Sequence, residues 1–367
     1  MKSWIPETDR GSCAACYGNM SQLAGIRRCI LADGKAAGVE AADLYTGGGL
    51  EFTVLPGRGM DIAGCRYRGI PVSYISKTGI TAPAYHDPRQ SQWLKSFFAG
   101  ILTTCGISNA GPDCMDMHPV LGEVPYGLHG DISNTAADQV GTWEDWTPDG
   151  YQMKVTGRVS EGRLHGEHLS LRRTVTARLG EKSFRIRDEY RNEGNTPDPL
   201  MFFYHINIGH PILDEGSYFI SASERVWAET PASKAGLEGF RVCEGPKAGV
   251  TEQQFFHEFR TDQEGLTTAA LVNDRLKLGF YLTYMPEQLP CFAQWKVGRE
   301  GEYVFAFEPG NCHPIGRNEQ RKRGILEYLD PMETHLVEME LGILDGEDEI
   351  EALKDKISRY GVGGKRK

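Results

Sequence analysis

His205 and Glu308 are the side chains of this sequence best suited by type and setting to move a proton. His205 lies in Phe202-Phe203-Tyr204-His205-Ile206-Asn207-Ile208-Gly209-His210-Pro211. Alternation along an extended chain puts Phe203, His205 and Asn207 on one face and Phe202, Tyr204, Ile206 and Ile208 on the other. The second face is wholly apolar or aromatic and reads as core. An imidazole and an amide on the first are costly to bury without partners, so they serve either structure or chemistry. Glu308 ends the apolar run Tyr303-Val304-Phe305-Ala306-Phe307 and precedes Pro309, which cannot donate to a sheet ladder. A carboxyl at the mouth of a hydrophobic strand should have its pKa raised toward the range useful for a base. The plain alternative is a surface glutamate at a strand end.

Two further residues belong with this pair. His129, in Tyr126-Gly127-Leu128-His129-Gly130-Asp131, is a second imidazole of interest, although histidines beside turns are commonly inert. Arg58 stands between Gly57 and Gly59. Glycines allow close backbone approach and unusual dihedrals, which can aim a guanidinium into a cleft; the alternative is an arginine on an exposed turn. By ligand type, His129, His205, His210 and Glu308 could form a metal centre. However, no HxH or HEXXH pattern is present, and His205 and His210, five apart in a strand, would point to opposite faces. A metal-free acid/base pair needs less, so no metal or cofactor is expected. Serine hydrolase, NTPase and Rossmann oxidoreductase machinery is missing: there is no GxSxG, no P-loop and no GxGxxG opening a helix.

The elements around these residues read mostly as strands. Leu50–Pro56 alternates, and a hairpin is expected through Arg68-Gly69. Asp87-Pro88 followed by Trp93, Leu94, Phe97, Phe98, Ile101 and Leu102 predicts a short helix capped by the aspartate. Thr103 to Ser108 reads as a strand that breaks into a long loop over residues 112–127, of the kind that often borders a binding site. Residues 140–195 carry the clearest β signal, an antiparallel sheet wet on one face. Residues 212–270 show no site. Residues 276–284, 291–297 and 303–308 are strands, as is Thr334 to Ile343, and an amphipathic helix follows at about 347–358. One domain over residues 1–367 is expected, with its catalytic core at about 45–340.

Bulk composition narrows the function. The sequence has 367 residues, of which 40% are hydrophobic and 25% charged, as in ordinary soluble proteins. A formal net charge of −10 argues against nucleic acid, and the basic Lys365-Arg366-Lys367 tail is too short to change that. No apolar run long enough for a membrane span exists, and the start shows no secretory h-region. Nine cysteines, scattered and odd in number, suit reduced thiols in a cytoplasmic protein; Cys13 and Cys16 form the one CxxC and read as two half-buried thiols. Nothing in the sequence decides the oligomeric state.

Taken together, His129 in LHGD, His205 in FYHINIGHP and Glu308 in FAFEPGN, with Asp188-Glu189-Tyr190-Arg191-Asn192-Glu193-Gly194 before them, resemble the aldose 1-epimerase (galactose mutarotase-like) family, and most closely its divergent bacterial branch. The resemblance spans about residues 45–340. It implies an all-β supersandwich of large antiparallel sheets with few short helices, and a sugar bound in an open groove across one sheet. It further implies His205 as general acid at the ring oxygen, Glu308 as general base at the anomeric hydroxyl, and Arg58, His129 and Gln294 as sugar-binding residues. The text departs from the family's usual asparagine-histidine and NxxYFNL-type runs, so the sugar itself is open: galactose, a ketose, or a deoxy, acidic or phosphorylated sugar. The rival readings are a catalytically silent carbohydrate-binding module on the same fold and a metal-dependent sugar isomerase.

Overall fold

Period-two burial builds most of this chain. The computed structural model describes residues 8–361; the N-terminal residues before Thr8 and the basic tail lie outside them. In Gly150–Gly162, Tyr151, Met153, Val155 and Val159 turn inward. This strand pairs with His168–Arg178, which pairs with Ser183–Asn192, setting Val155 against Val175 and Val175 against Ile186. Asp138–Thr147, Thr334–Asp345, Leu278–Tyr284, Thr267–Asn273 and Tyr218–Ser221 extend them to an eight-stranded antiparallel sheet. As the alternation predicts, Ser183–Asn192 buries Phe184, Ile186, Asp188 and Tyr190 and exposes Arg185, Arg187 and Arg191 on the wet face.

A six-stranded antiparallel sheet carries the histidine strand. Its order is Ser223–Trp227, Gln253–Phe259, Cys291–Arg299, Glu302–Gly310, Met201–Ile208 and Thr103–Ile107. A five-stranded sheet runs from Gly25–Ile30 through Asp61–Tyr67 to Ile70–Pro71, with the Arg68-Gly69 turn as expected. All three sheets feed one core. Phe52 and Val54 of the five-stranded sheet meet Met153, Ile186 and Leu341 of the eight-stranded sheet and Phe202, Tyr204, Ile206 and Phe307 of the six-stranded one. Apolar burial on this scale dominates the driving force for folding. The result is an all-β sandwich with four short α-helices among the described residues: Arg10–Cys16, Pro231–Ala235, Arg317–Arg323 and Glu347–Ser358.

Two expected elements take another form. The predicted 87–102 helix is a 3-10 stretch at Gln90–Lys95, after which Ala99 and Gly100 adopt left-handed backbone angles that no helix accommodates. Its apolar side chains therefore disperse: Trp93 and Phe97 join one cluster, Phe98 another, and Ile101 and Leu102 the main core. The 112–127 loop is a β-hairpin, Cys114–His118 with Gly122–Tyr126, anchored where Asp116 receives Arg317 and Arg321. In the Cys13/Cys16 pair, Cys13 is buried and Cys16 exposed.

The sheets are pinned together by buried charge. Arg173 donates from Nε and a terminal nitrogen to Asp188 at 2.9 and 2.7 Å, and to the Met60 carbonyl at 3.2 Å. Tyr204, one residue before His205, donates to the same carboxylate at 2.7 Å and receives the Tyr190 hydroxyl at 3.0 Å. Asp61 lies 3.6 Å from Arg173 and accepts the Thr104 N–H at 2.9 Å. Breaking a buried pair leaves an uncompensated charge, so Asp188→Asn should lower stability by about 3–5 kcal/mol in urea unfolding at an unchanged m-value. A loss below about 1 kcal/mol, the scale of an exposed pair, would refute this role.

Candidate active site

Strand register decides which side chains share a face with His205. Met201–Ile208 pairs with Glu302–Gly310 so that Asn207 opposes Ala306, and with Thr103–Ile107 so that His205 opposes Thr103. In the next pairs Glu308 opposes Ala293, Phe256 opposes Ala293, and Gln254 opposes Trp295. Alternation then puts Gln254, Phe256, Ala293, Trp295, Ala306, Glu308, His205 and Asn207 on one face. Ala293 and Ala306 are short, so nothing bulky within the sheet screens the Glu308 carboxyl.

On that face His205 Nε2 lies 3.2 Å from Glu308 Oε1. Gln254 donates from Nε2 to the other carboxyl oxygen, Oε2, at 3.1 Å. Phe97 and Trp295 close over the imidazole, with ring centroids at 5.0 and 5.1 Å, and the Trp295 indole N–H donates to Glu252 at 3.1 Å. Only 6% of His205 and 4% of Glu308 remain exposed. The expected open groove is thus a covered site here, and the two residues face each other directly.

Burial without a balancing ion disfavours charge on both groups. It pushes His205 down to about 3, against a smaller upward pull from Asn207, and Glu308 up to about 8, against the Gln254 hydrogen bond. The raised carboxyl matches the expectation from sequence, but a group raised that far holds its proton at neutral pH. With Gln254 occupying Oε2, the acid proton belongs on Oε1, facing His205 Nε2. His205 Nδ1 and Asn207 Oδ1, two residues apart on the same face, are both buried without a protein partner.

His129 stands one ring away. It packs edge-on against Trp93 at 4.9 Å and Phe203 at 5.1 Å, and Phe203 in turn lies 6.1 Å from the His205 ring. Its backbone has φ +57°, an unusual angle for a side-chain-bearing residue. Gly111 holds it there by accepting the His129 N–H at 2.9 Å and donating to its Nδ1 at 3.2 Å. The neighbouring glycine is required, since a Cβ at Gly130 would come within 2.2 Å of the Gly106 carbonyl. An Nδ1 that accepts leaves the ring proton on Nε2, and burial followed by the nearby His205 pushes the ring down to about 3, keeping it neutral.

Arg58 and Gln294 do not join them. The Arg58 guanidinium is buried, donating to the Ser133 carbonyl at 2.6 Å, to the Ser96 carbonyl at 3.2 Å and to the Thr81 carbonyl. Gly57 and Gly59 serve packing rather than a cleft, because a Cβ on either would strike backbone at Glu40 or Ile132. Gln294 is on the right strand but the wrong face: it points into the core, donating to the Phe240 carbonyl at 2.8 Å and meeting His257 Nε2 at 3.2 Å. A shift of one residue reverses the side in a strand, and Trp295 takes the place expected of Gln294. His210 is exposed. Among the described residues no three histidine, cysteine or acidic side chains are grouped to hold a metal ion. Trp93, Phe97, Gln254 and Trp295 escaped the sequence reading. Counting alternation across the sheet would have found the last two, but only with the register known.

Two measurements follow. Arg58→Lys leaves buried carbonyls unpaired and should cost at least about 2 kcal/mol of stability; a sugar-binding arginine would instead leave stability unchanged. Glu308, raised above its ordinary value of 4.5, keeps its proton in the folded state while the unfolded chain releases it. Its contribution is complete below 4.5 and is lost as pH rises through about 8. Glu308→Gln should therefore lose less stability than wild type between those limits, measured as Tm against pH.

Comparison with known proteins bears on the fold. Residues 36–343 match the model of a family described as Domain of unknown function (DUF4432). No curated protein matches the sequence. Among solved structures, a Klebsiella pneumoniae protein provisionally assigned as an aldose 1-epimerase superposes with TM-score 0.85 at 24% identity, covering 95% of this chain and 92% of its own. A galactose mutarotase-like protein of Clostridium acetobutylicum gives 0.64 at 13% identity, covering 88% and 99%. Galactose 1-epimerase from Lactobacillus acidophilus gives 0.58 at 12% identity, covering 88% and 100%. The chain therefore has the galactose mutarotase-like fold, and it belongs to the family described as Domain of unknown function (DUF4432).

Proposed function

We propose that this protein is an aldose 1-epimerase-like isomerase that opens and recloses the ring of a sugar hemiacetal by acid/base catalysis. The observation that carries the reading is the buried His205–Glu308 contact at 3.2 Å, held by Gln254 on one face of a galactose mutarotase-like sheet. The pair has one mobile proton, and the sugar's anomeric hydroxyl supplies the other. As a sugar parts the pair, one residue protonates the ring oxygen while the other takes the proton from the C1 hydroxyl. The C1–ring oxygen bond breaks with its electrons going to the oxygen, and the C1 carbonyl forms. Rotation about C1–C2 and the reverse transfers give the other anomer, so no proton is gained or lost overall.

We assign the resting proton to Glu308, since burial favours the neutral form of each group, and so Glu308 acts as the acid and His205 as the base in the first step. This exchanges the roles that the family resemblance implies. His129, with its proton on Nε2, donates to a sugar hydroxyl near the reacting carbon, and His205 Nε2, which faces the Glu308 Oε1, is the nitrogen that accepts. Trp295 and Phe97 form the aromatic walls that exclude water.

Anomer interconversion followed by NMR for a panel of freshly dissolved sugars tests the reading. Glu308→Gln should slow the catalysed rate by about 10²–10⁴-fold. If no sugar equilibrates faster with wild type than without protein, the reading fails and a silent binding module gains. The pH profile separates the two role assignments. With Glu308 as acid, the rate falls as pH rises through about 8; a rate that climbs through that range would return Glu308 to the role of base.

A further inference from the structure

A cavity of about 910 Å³ lies against the Gly127–Asp131 turn that carries His129, yet its lining includes neither the His205–Glu308 pair nor the aromatic rings covering it. Among the described residues, thirteen buried side-chain polar atoms have no protein partner, and three of them belong to residues lining this one cavity: Tyr126 Oη, Ser160 Oγ and Glu167 Oε2. Tyr126 is 5% exposed and Glu167 7%. Buried hydroxyls and carboxylates are ordinarily partnered, so three on residues lining one cavity point to a ligand that meets them as their side chains turn toward it.

The charges around the cavity narrow what that is. Glu167 is neutralised on its other oxygen by Arg163 Nε at 3.2 Å, and Asp131 is met by His86 at 2.8 Å. Arg89 is occupied by Asp87 at 2.7 Å. Glu161, receiving the Ile107 N–H at 3.2 Å, is raised by burial to about 8 and so holds its proton. Tyr126 is fixed between the Arg317 and Arg163 guanidinium groups, which lie 4.3 and 5.5 Å from its ring. Apart from Asp113, which is exposed, the unmet groups are two hydroxyls, each able to donate and accept, and one carboxylate oxygen with its charge already balanced. That set suits hydroxyl groups better than a cation or an anion.

We propose that this cavity is a second ligand site, which binds a neutral polyhydroxylated molecule through Tyr126, Ser160 and Glu167. It stands independently of the epimerase reading. The test is calorimetric titration of the full chain with glucose, xylose, erythritol and myo-inositol, and separately with 1,4-diaminobutane, together with crystals soaked in the same compounds. At least one polyol should bind with its hydroxyls on these three side chains. Tyr126→Phe and Ser160→Ala should each weaken it about five- to tenfold, while Glu308→Gln leaves it unchanged. Both variants remove an unpaired buried hydroxyl, so they should fold as stably as wild type, which Tm confirms. The proposal is overturned if no polyol binds, if binding follows Glu308 rather than Tyr126, if 1,4-diaminobutane binds in place of the polyols, or if soaked crystals show ordered water only.

Discussion

Arg173 and Asp188 carry full charges with no exposed surface, and much of this architecture depends on their being satisfied. Two ions removed from water are costly unless geometry and added hydrogen bonds offset the loss. Here the offset comes from several elements at once: the Met60 carbonyl, the Tyr204 hydroxyl and Asp61, which in turn takes the Thr104 N–H. Arg173 and Asp188 lie on the eight-stranded sheet, Tyr204 on the six-stranded one, and Asp61 on the five-stranded one directly after Met60, so the network is complete only when all three sheets are in place. Tyr204 is the link to chemistry. Holding its hydroxyl on the core side forces the next residue, His205, to the opposite face.

The two faces of the Met201–Ile208 strand solve the same electrostatic problem in opposite ways. Toward the core, charge is kept and paired. Toward the site, His205 and Glu308 meet without a balancing cation, and burial, with Glu252 adding to it at Glu308, makes the neutral forms the favoured ones. A neutral pair, with a proton on Glu308 to give and His205 free to take one, can trade protons with a bound molecule without adding net charge to a poorly solvating medium. That property suits the proposed ring opening and closure, in which no proton is gained or lost overall.

How much of this was legible in the sequence depended on whether a feature is local. Alternation gave the strands and the split of the His205 strand into a core face and a site face, and the apolar approach to Glu308 gave its raised pKa. What failed needed information from elsewhere in the chain. Gln294 missed the site by one residue because only the pairing with Gln253–Phe259 and Glu302–Gly310 fixes its side. Arg58 looked aimed at a cleft because its flanking glycines were visible and the carbonyls awaiting it were not. The Trp93 to Leu102 run kept a helical spacing by coincidence, and left-handed angles at Ala99 and Gly100 broke it. Asp188 sat in plain view at a core-facing position of its strand, between Ile186 and Tyr190. Its partner, fifteen residues earlier on the neighbouring strand, is what made sense of it.

Arg58 also bears on the order in which the molecule assembles. Its three carbonyl partners come from residues 81, 96 and 133, each far along the chain from Arg58 itself. Two of these, Thr81 and Ser96, bracket the stretch bearing Trp93, and Phe97 follows directly. Such long-range closures are entropically expensive and are made after local strand pairing has already limited the search. The cover over the His205–Glu308 pair therefore rests on contacts between residues far apart in the sequence. No fragment ending short of Ser133 can complete the Arg58 cluster, and none ending short of Trp295 can complete the cover over His205.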